Sequence, residues 1–213
     1  PVLFLGLFDV DEGAFASTSL QMIKQKQYLI PTIGDELRLE KPILTYWVQV
    51  MSIYIFGPNE FALRLPSIIA SFIWAYSFSS FVNQHTRNVR RSEIFLNLLT
   101  LPGVFIMSSA ATADAFLNLF ITLLMINLFN YSIKKDDKLL IWSGIYVALG
   151  FLTKGLTIIA ICGTVSLIYF LLKRKLLNFL TILLSWKAWL AFVIVVLPWF
   201  IFILNEIGVS NLN

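Results

Sequence analysis

The chain of 213 residues is far more apolar than a soluble protein of this length: 58% of its residues are hydrophobic, 13% are charged and the mean hydropathy is +0.81. Soluble domains carry about 45–50% apolar and about 25% charged residues, so this composition predicts a multi-pass membrane protein. It excludes a disordered chain, a nucleic-acid-binding module and a disulfide-stapled secreted domain. The single cysteine, Cys162, lies in an apolar run and is predicted to serve packing.

The first eight residues are apolar, but a membrane span needs about 17–25 residues. They follow no initiator Met and resemble the end of a longer helix more than a signal peptide. We therefore expect the sequence to be a fragment that is truncated at both ends.

Six apolar stretches free of Asp, Glu, Lys and Arg are predicted to span the membrane. The shortest of them gains length from Lys138 and Lys154, whose side chains can reach the interface. A shorter run at residues 176–186, between basic residues, predicts a helix that lies at the interface. The six stretches are residues 65–84, 94–113, 115–133, 139–153, 155–172 and 188–205.

The run at residues 42–59 decides the topology. If this run does not span, ten basic residues lie on one side of the membrane and six on the other. If it does span, the numbers become fourteen and two, and the positive-inside rule taken alone prefers this spanning topology. We nevertheless predict a surface helix, bounded by Pro42 and by Gly57-Pro58, because Thr45, Gln49 and Ser52 form a polar stripe along one face. The alternative is a span whose polar stripe faces neighbouring helices.

With a surface helix at 42–59, residues 9–64 form one large loop on the non-cytoplasmic side. Nine of the twelve acidic residues then face outwards, and the inner loops are short and basic. The net charge of +4 is therefore interpreted as an anchoring signal, and the functional site is expected on the outer side.

The outer loop holds two pairs of candidate site residues. Asp11 and Glu12 open a predicted helix at 13–29, where capping and the helix dipole are the ordinary structural explanation. Glu40 and Lys41 lie where the chain meets the membrane again. Together these side chains could accept a proton and bind a phosphate at one end of the bundle.

Three further charges lie at predicted span ends. Asp114 is either functional or an N-cap of the next helix. Lys154 is either functional or a lysine that extends to the interface, with Gly155 allowing a tight turn, and Arg64 is similar. Taken singly, each is better explained by structure than by catalysis.

The ordered set of short motifs resembles the amino-terminal half of a bacterial GT-C glycosyltransferase, in the branch of the protein O-mannosyltransferases and the 4-amino-4-deoxy-L-arabinose transferase of lipid A. The resemblance covers essentially the whole chain, and the Asp-Glu and Glu-Lys-Pro motifs are its most specific part. The motifs are Asp11-Glu12, Ala14-Phe15-Ala16, Tyr28-Leu-Ile-Pro31, Leu39-Glu-Lys-Pro42, Tyr46-Trp47, Phe56-Gly57, Glu60-Phe-Ala-Leu-Arg-Leu-Pro-Ser67, Thr112-Ala-Asp114, Gly150-Phe-Leu-Thr-Lys-Gly155 and Leu197-Pro-Trp199.

The resemblance implies an all-α, polytopic transmembrane helix bundle with juxtamembrane helices in the first outer loop. It implies a single catalytic domain over residues 1–213, with the C-terminal spans and a soluble periplasmic domain missing. It also implies an inner-membrane enzyme that passes a mannose-type or aminoarabinose-type sugar from a polyprenyl-phosphate donor to lipid A, lipopolysaccharide or a protein on the periplasmic side.

The resemblance also implies roles for the candidate residues. Asp11 is the candidate catalytic acid, with Glu12 beside it and Asp114 as a second acid. Glu40, Lys41, Arg64 and Lys154 are the candidate substrate-binding residues, and Lys41 and Lys154 are the candidates for the donor phosphate. The sequence demands no metal, although its carboxylates could in principle hold a divalent cation. Those carboxylates are Asp11, Glu12, Glu40 and Asp114.

Two other functions compete with this one. A transporter or lipid flippase would use charges at span ends, but it would also be expected to carry ionisable groups near the bilayer midplane, and the apolar runs carry none. An inert membrane scaffold would tolerate substitution of Asp11, Lys41 and Asp114 together.

Overall fold

A computed structural model describes residues 6–7, 9–34, 36–86 and 89–210 of the chain, with side chains described up to residue 205. The predicted partial helix at residues 1–8 falls largely outside this part. The described residues form helices with one short antiparallel strand pair, Thr32–Ile33 (β1) with Glu36–Leu37 (β2). The helices are α1 (Val10–Gln25), α2 (Leu44–Phe56), α3 (Glu60–His85), α4 (Arg91–Thr100), α5 (Pro102–Ser109), α6 (Asp114–Lys134), α7 (Asp137–Lys154), α8 (Thr157–Leu172), α9 (Leu176–Leu183) and α10 (Trp186–Ser210).

Helix α1 begins and ends earlier than the predicted helix at 13–29. It ends where Lys26 takes a left-handed conformation (φ 54°) and its N–H returns to the Ile23 carbonyl. Because α1 starts at Val10, Asp11 and Glu12 lie in its first turn, where acidic side chains complement the positive end of the helix dipole.

Helix α2 has 13 residues, or about 20 Å at 1.5 Å per residue, which is too short for a hydrocarbon core of about 30 Å. It ends before Gly57 (φ +81°), as predicted, and it begins at Leu44, two residues after Pro42. The Asn59 side chain accepts from the Ala62 N–H at 2.8 Å and starts α3 directly afterwards. The length therefore agrees with the prediction of a helix that does not span.

The orientation of α2, however, is opposite to the predicted one. Its polar stripe is buried: Thr45, Gln49 and Ser52 are 0%, 1% and 6% exposed. Gln49 accepts from the Ser19 hydroxyl at 2.7 Å and donates to the Ala111 carbonyl at 3.0 Å. The side chains on the exposed face are apolar, as expected for a helix whose outer face meets lipid, and they are Met51, Tyr54, Ile55 and Phe56.

The predicted span at 94–113 is broken into α4 and α5, which are bent by 72°. The break is at Leu101, whose extended backbone (φ −63°, ψ 123°) precedes Pro102. Proline disfavours the helical conformation of the residue before it and cannot donate a backbone hydrogen bond, so the helix stops there.

Among the described residues, three segments are long and apolar enough to cross a membrane, and the bent α4–α5 pair would be a fourth. The three segments are Glu60–His85, Asp114–Lys134 and Leu176–Asn205. Helices α7 and α8, with 18 and 16 residues, fall short of this criterion, which therefore supports fewer spans than the six predicted. The all-α transmembrane bundle itself is confirmed.

Helix α7 lies at the centre of the bundle, between α6 and α10. Gly144 lets α7 approach the Ala188 carbonyl of α10 so closely that any Cβ would collide with this backbone group, whereas a Cβ at Gly150 would meet the side chain of Ile158 of α8, which would have to shift. One end of the bundle is formed by α1, residues 26–43, α2, residues 110–113 and the turn after α7. We call this the loop end.

The topology can be tested with cysteines placed at Glu36, His85 and Lys135, one variant at a time, in a Cys162→Ala background. Because α2 is too short to cross, we expect a membrane-impermeant thiol reagent to label position 36 from one side of the membrane and positions 85 and 135 from the other. Same-side labelling of all three positions would mean that α2 spans. Opposite labelling of 85 and 135 would mean that the α4–α5 pair re-enters without crossing.

Candidate functional site

Two of the predicted site residues form a buried ion pair at the loop end. Arg64 of α3 holds the Glu12 carboxylate of α1 with two parallel contacts, Nε to Oε1 and Nη2 to Oε2, each 3.0 Å long. Both side chains are 0% exposed. Glu12 also accepts from the Ala111 N–H at 2.7 Å, so this pair joins α1 and α3 to the linker before α6.

This burial favours a structural role for Glu12 and Arg64. A carboxylate that is already engaged by a guanidinium fork and a backbone N–H is kept from solvent and offers little room for a further partner. Arg64 in addition donates to the Gly6 carbonyl at 3.2 Å. The geometry therefore favours a role in holding the loop end together over contact with a substrate, in contrast to the predicted catalytic and binding roles.

Asp114 and Lys154 also form a pair. Asp114 is the first residue of α6 and Lys154 the last residue of α7, and Lys154 Nζ lies 2.5 Å from Asp114 Oδ1. The N-cap of α6 is Ala113, so Asp114 is not the cap. Both side chains are 30% exposed, which leaves the pair open to solvent at the loop end.

The remaining predicted residues are unpaired. In the described ranges, the side chains of Asp11, Glu40 and Lys41 make no hydrogen bond and no ion pair. Asp11 and Glu40 are exposed and Lys41 is half-buried. Two carboxylates and one ammonium group are thus available at the loop end, with the charges that proton transfer and phosphate binding need.

Arg38, which the sequence analysis did not single out, lies near these residues together with Phe15 and Tyr46 of the motifs. The Arg38 guanidinium lies 5.4 Å from the centre of the Phe15 ring, and the Phe15 ring contacts the Tyr46 ring at 5.1 Å. Asp11 lies one turn before Phe15 on α1, so the two share a helix face. Asp11 and Phe15 thus share one face of α1, and the Phe15 ring contacts both the Arg38 guanidinium and the Tyr46 ring.

The pKa of the Tyr46 hydroxyl reflects its burial and the charged groups near it. Burial raises the pKa of Tyr46 to about 12, while the nearby Arg38 guanidinium opposes the rise and Glu40 and Asp11 add to it. The hydroxyl is consequently neutral near pH 7 and can donate. It lies close to Arg38 without forming a hydrogen bond of ordinary geometry, and it is without a partner among the described residues.

The loop that carries Arg38 and Glu40 is anchored by two tryptophans. Trp47 of α2 donates from Nε1 to the Tyr28 carbonyl at 2.6 Å, and Trp199 of α10 donates to the Leu29 carbonyl at 3.0 Å. The Tyr28 and Tyr54 hydroxyls lie 2.5 Å apart. The aromatic residues of the motifs thus hold the loop against α2 and α10.

The four carboxylates considered for a divalent cation are not gathered into such a site. Among the described residues, no group of three or more His, Cys, Asp and Glu side chains is arranged to hold a metal ion. Glu12 and Asp114 are instead engaged by Arg64 and Lys154.

The sequence of the chain matches a family model and several known proteins. Residues 40–202 match the family model described as dolichyl-phosphate-mannose-protein mannosyltransferase. The chain is 30% identical over 164 residues, or 73% of its length, to the undecaprenyl phosphate-alpha-4-amino-4-deoxy-L-arabinose arabinosyl transferase of Wigglesworthia glossinidia brevipalpis, of which it covers 28%. It is 26% identical to the enzyme of the same name from Shewanella sediminis, with 93% of this chain and 37% of that protein covered.

The fold has a solved counterpart in ArnT from Cupriavidus metallidurans bound to undecaprenyl phosphate. The TM-score is 0.85 at 21% sequence identity, with 96% of this chain and 39% of that chain covered. The chain thus spans between about a quarter and two fifths of the length of these relatives.

The fold and the family match show the class of membrane protein to which the chain belongs and confirm the family resemblance found in the sequence. The chain belongs to the dolichyl-phosphate-mannose-protein mannosyltransferase family. The family match begins at Glu40 and includes Lys41, Arg64, Asp114 and Lys154, whereas Asp11 and Glu12 precede it.

Proposed function

We propose that the chain carries the donor-binding part of a bacterial inner-membrane enzyme that transfers a sugar of the aminoarabinose or mannose type from a polyprenyl-phosphate carrier. The acceptor is lipid A, another lipopolysaccharide group or a protein, and the loop end faces the periplasm. Several relatives are named as transferases of 4-amino-4-deoxy-L-arabinose from undecaprenyl phosphate, which supports the aminoarabinose type.

The observation that carries this proposal is that Asp11, Glu40 and Lys41, at the loop end of a bundle with the fold of ArnT, form no hydrogen bond or ion pair with the residues that the structure describes. In the transfer, the bond between the anomeric carbon and the carrier phosphate breaks, and a new bond forms between that carbon and an acceptor oxygen. A cation stabilises the phosphate that leaves, and a carboxylate removes the proton when the acceptor is a hydroxyl. Lys41 fits the first role and Asp11 the second.

An acceptor phosphate would change the role of Asp11 and leave that of Lys41 unchanged. Such an acceptor is already anionic, so Asp11 would position it or balance charge instead of accepting a proton. We expect the apolar carrier chain to lie against the membrane-facing helices below the loop end, with its phosphate near Lys41.

Replacement of Lys41 by Met tests this proposal in the intact protein. We expect binding of undecaprenyl phosphate in vesicles to weaken by about 10- to 100-fold and sugar transfer to fall with it, because a hydrogen bond to a charged group contributes about 1.5–3 kcal/mol. Lys24→Met is the matched control, since Lys24 is an exposed lysine near the end of α1. Equal binding and transfer by both variants would contradict the role of Lys41.

A further inference from the structure

We propose that Arg38 is a second anion-binding residue of this site and binds a phosphate group of a lipid substrate, with the Tyr46 hydroxyl as a further donor to the same phosphate. This inference rests on the proposed function and extends it, since the sequence motifs point to Lys41 and do not include Arg38. The phosphate belongs either to the polyprenyl carrier or to a phosphorylated lipid acceptor.

The first argument is the state of the Arg38 side chain. It is 8% exposed, and it forms no ion pair with any residue that the structure describes. A guanidinium carries five N–H donors, and taking a charge out of water is costly when those donors lack acceptors. The Phe15 ring stabilises its face, but the ring offers no acceptor to the N–H groups at its edge.

The second argument is the Tyr46 hydroxyl beside it. Tyr46 is 0% exposed, and its hydroxyl has the Arg38 guanidinium nearby but no hydrogen-bond partner of ordinary geometry in the described part of the chain. A buried hydroxyl beside a guanidinium that forms no ion pair gives two neighbouring donors that could share one anionic acceptor. A phosphate oxygen seated on the guanidinium fork supplies acceptors for both groups.

The third argument is the surrounding charge. Asp11 and Glu40 both lie within electrostatic range of the Tyr46 hydroxyl, and Lys41 follows Glu40 directly. Neither carboxylate forms an ion pair with Arg38 among the described residues, so the guanidinium remains available to a phosphate. We expect Lys41 to contribute a second positive charge to that phosphate, and the carboxylates to act on the sugar or the acceptor.

The test compares Arg38→Gln with Arg91→Gln in the intact protein. Arg91 also stacks on an aromatic ring, that of Tyr76 at 4.9 Å, but it lies at the other end of the bundle. Binding is measured to phosphatidylcholine vesicles that contain either undecaprenyl phosphate or lipid A. We expect Arg38→Gln to weaken binding to one of these lipids by about 10- to 100-fold, and Arg91→Gln to leave both unchanged.

The affected lipid identifies the source of the phosphate. Loss of undecaprenyl phosphate binding assigns Arg38 to the carrier, and loss of lipid A binding assigns it to the acceptor. Tyr46→Phe is expected to weaken the same interaction less and to leave the thermal midpoint unchanged. If Lys41→Met weakens binding and a folded Arg38→Gln variant binds both lipids normally, the role of Arg38 is wrong and the proposed function stands.

Two further outcomes overturn the proposal. Wild-type protein that binds neither lipid above plain phosphatidylcholine contradicts the role of Arg38 and the proposed function alike. If Arg38→Gln does not fold, Arg38→Met replaces it, because methionine keeps an apolar stem of similar length and carries neither the charge nor the N–H donors. Unchanged binding by a folded Arg38→Met variant would then show that the guanidinium does not bind the phosphate.

Discussion

Replacement of Asp11 by Asn is expected to lower the rate of sugar transfer by the intact protein by about 10²–10⁴-fold if the acceptor is a hydroxyl, which is the usual contribution of a general base. Asp11 is exposed and unpaired, so its replacement breaks no contact among the described residues and is expected to leave folding and membrane insertion unchanged. The measurement is the initial rate of transfer from an undecaprenyl-phosphate-linked sugar in vesicles.

Asp9→Asn is the matched control for this experiment. Asp9 lies two residues away, is exposed and makes no side-chain hydrogen bond as the N-cap of α1. If Asp11→Asn and Asp9→Asn transfer the sugar equally well, Asp11 has no part in the reaction. A loss with a hydroxyl acceptor and none with a phosphate acceptor would instead show that Asp11 removes the proton of a hydroxyl.

Asp11 and Glu12 show what the sequence could and could not predict about the site. Neighbouring residues on a helix point about 100° apart, so only one of two adjacent acids can face a given partner. The sequence identified the pair, but its local pattern does not reveal that Arg64, 52 residues later, engages Glu12 and leaves Asp11 exposed. The division of roles between the two acids therefore depends on tertiary packing.

Arg38 illustrates a second limit. It lies in a loop, without a helix or strand period that would assign it a face, and its partners Phe15 and Tyr46 lie on two separate helices. The only sequence signal is its position two residues before the Glu40-Lys41 pair. Such a signal distinguishes it from an ordinary solvated arginine only after α1 and α2 have been placed.

The fold could be predicted from the sequence more fully than the site, because apolar runs predict membrane helices directly. The break at Leu101-Pro102 was not predicted, because the run at 94–113 was interpreted as one span, although proline and its preceding residue both disfavour helix continuation. The orientation of α2 could not be predicted from the sequence, because a polar stripe has the same period whether it faces water or a polar partner. Gln49 takes the Ser19 hydroxyl and the Ala111 carbonyl as partners, and these belong to other parts of the chain.

Replacement of Arg64 by Met is expected to give the largest loss of stability, because it leaves the Glu12 carboxylate uncompensated in a site that is 0% exposed. Breaking a buried pair by removing one partner costs about 3–5 kcal/mol. The measurement is the unfolding midpoint of the purified intact protein in detergent. Lys187→Met is the matched control, since the Lys187–Asp137 pair is largely solvated and contributes less than about 1 kcal/mol.

The double variant Glu12→Met with Arg64→Met separates a structural role from a catalytic one. Removal of both charges avoids the uncompensated carboxylate, so the double variant is expected to be more stable than Arg64→Met alone, although the Ala111 N–H loses its acceptor at a cost of about 1–3 kcal/mol. With Asp11 still in place, this variant should transfer more sugar than Asp11→Asn. A stable double variant that is as inactive as Asp11→Asn would mean that Glu12 or Arg64 acts on the substrate, and the division between a structural pair and an exposed reactive acid would be wrong.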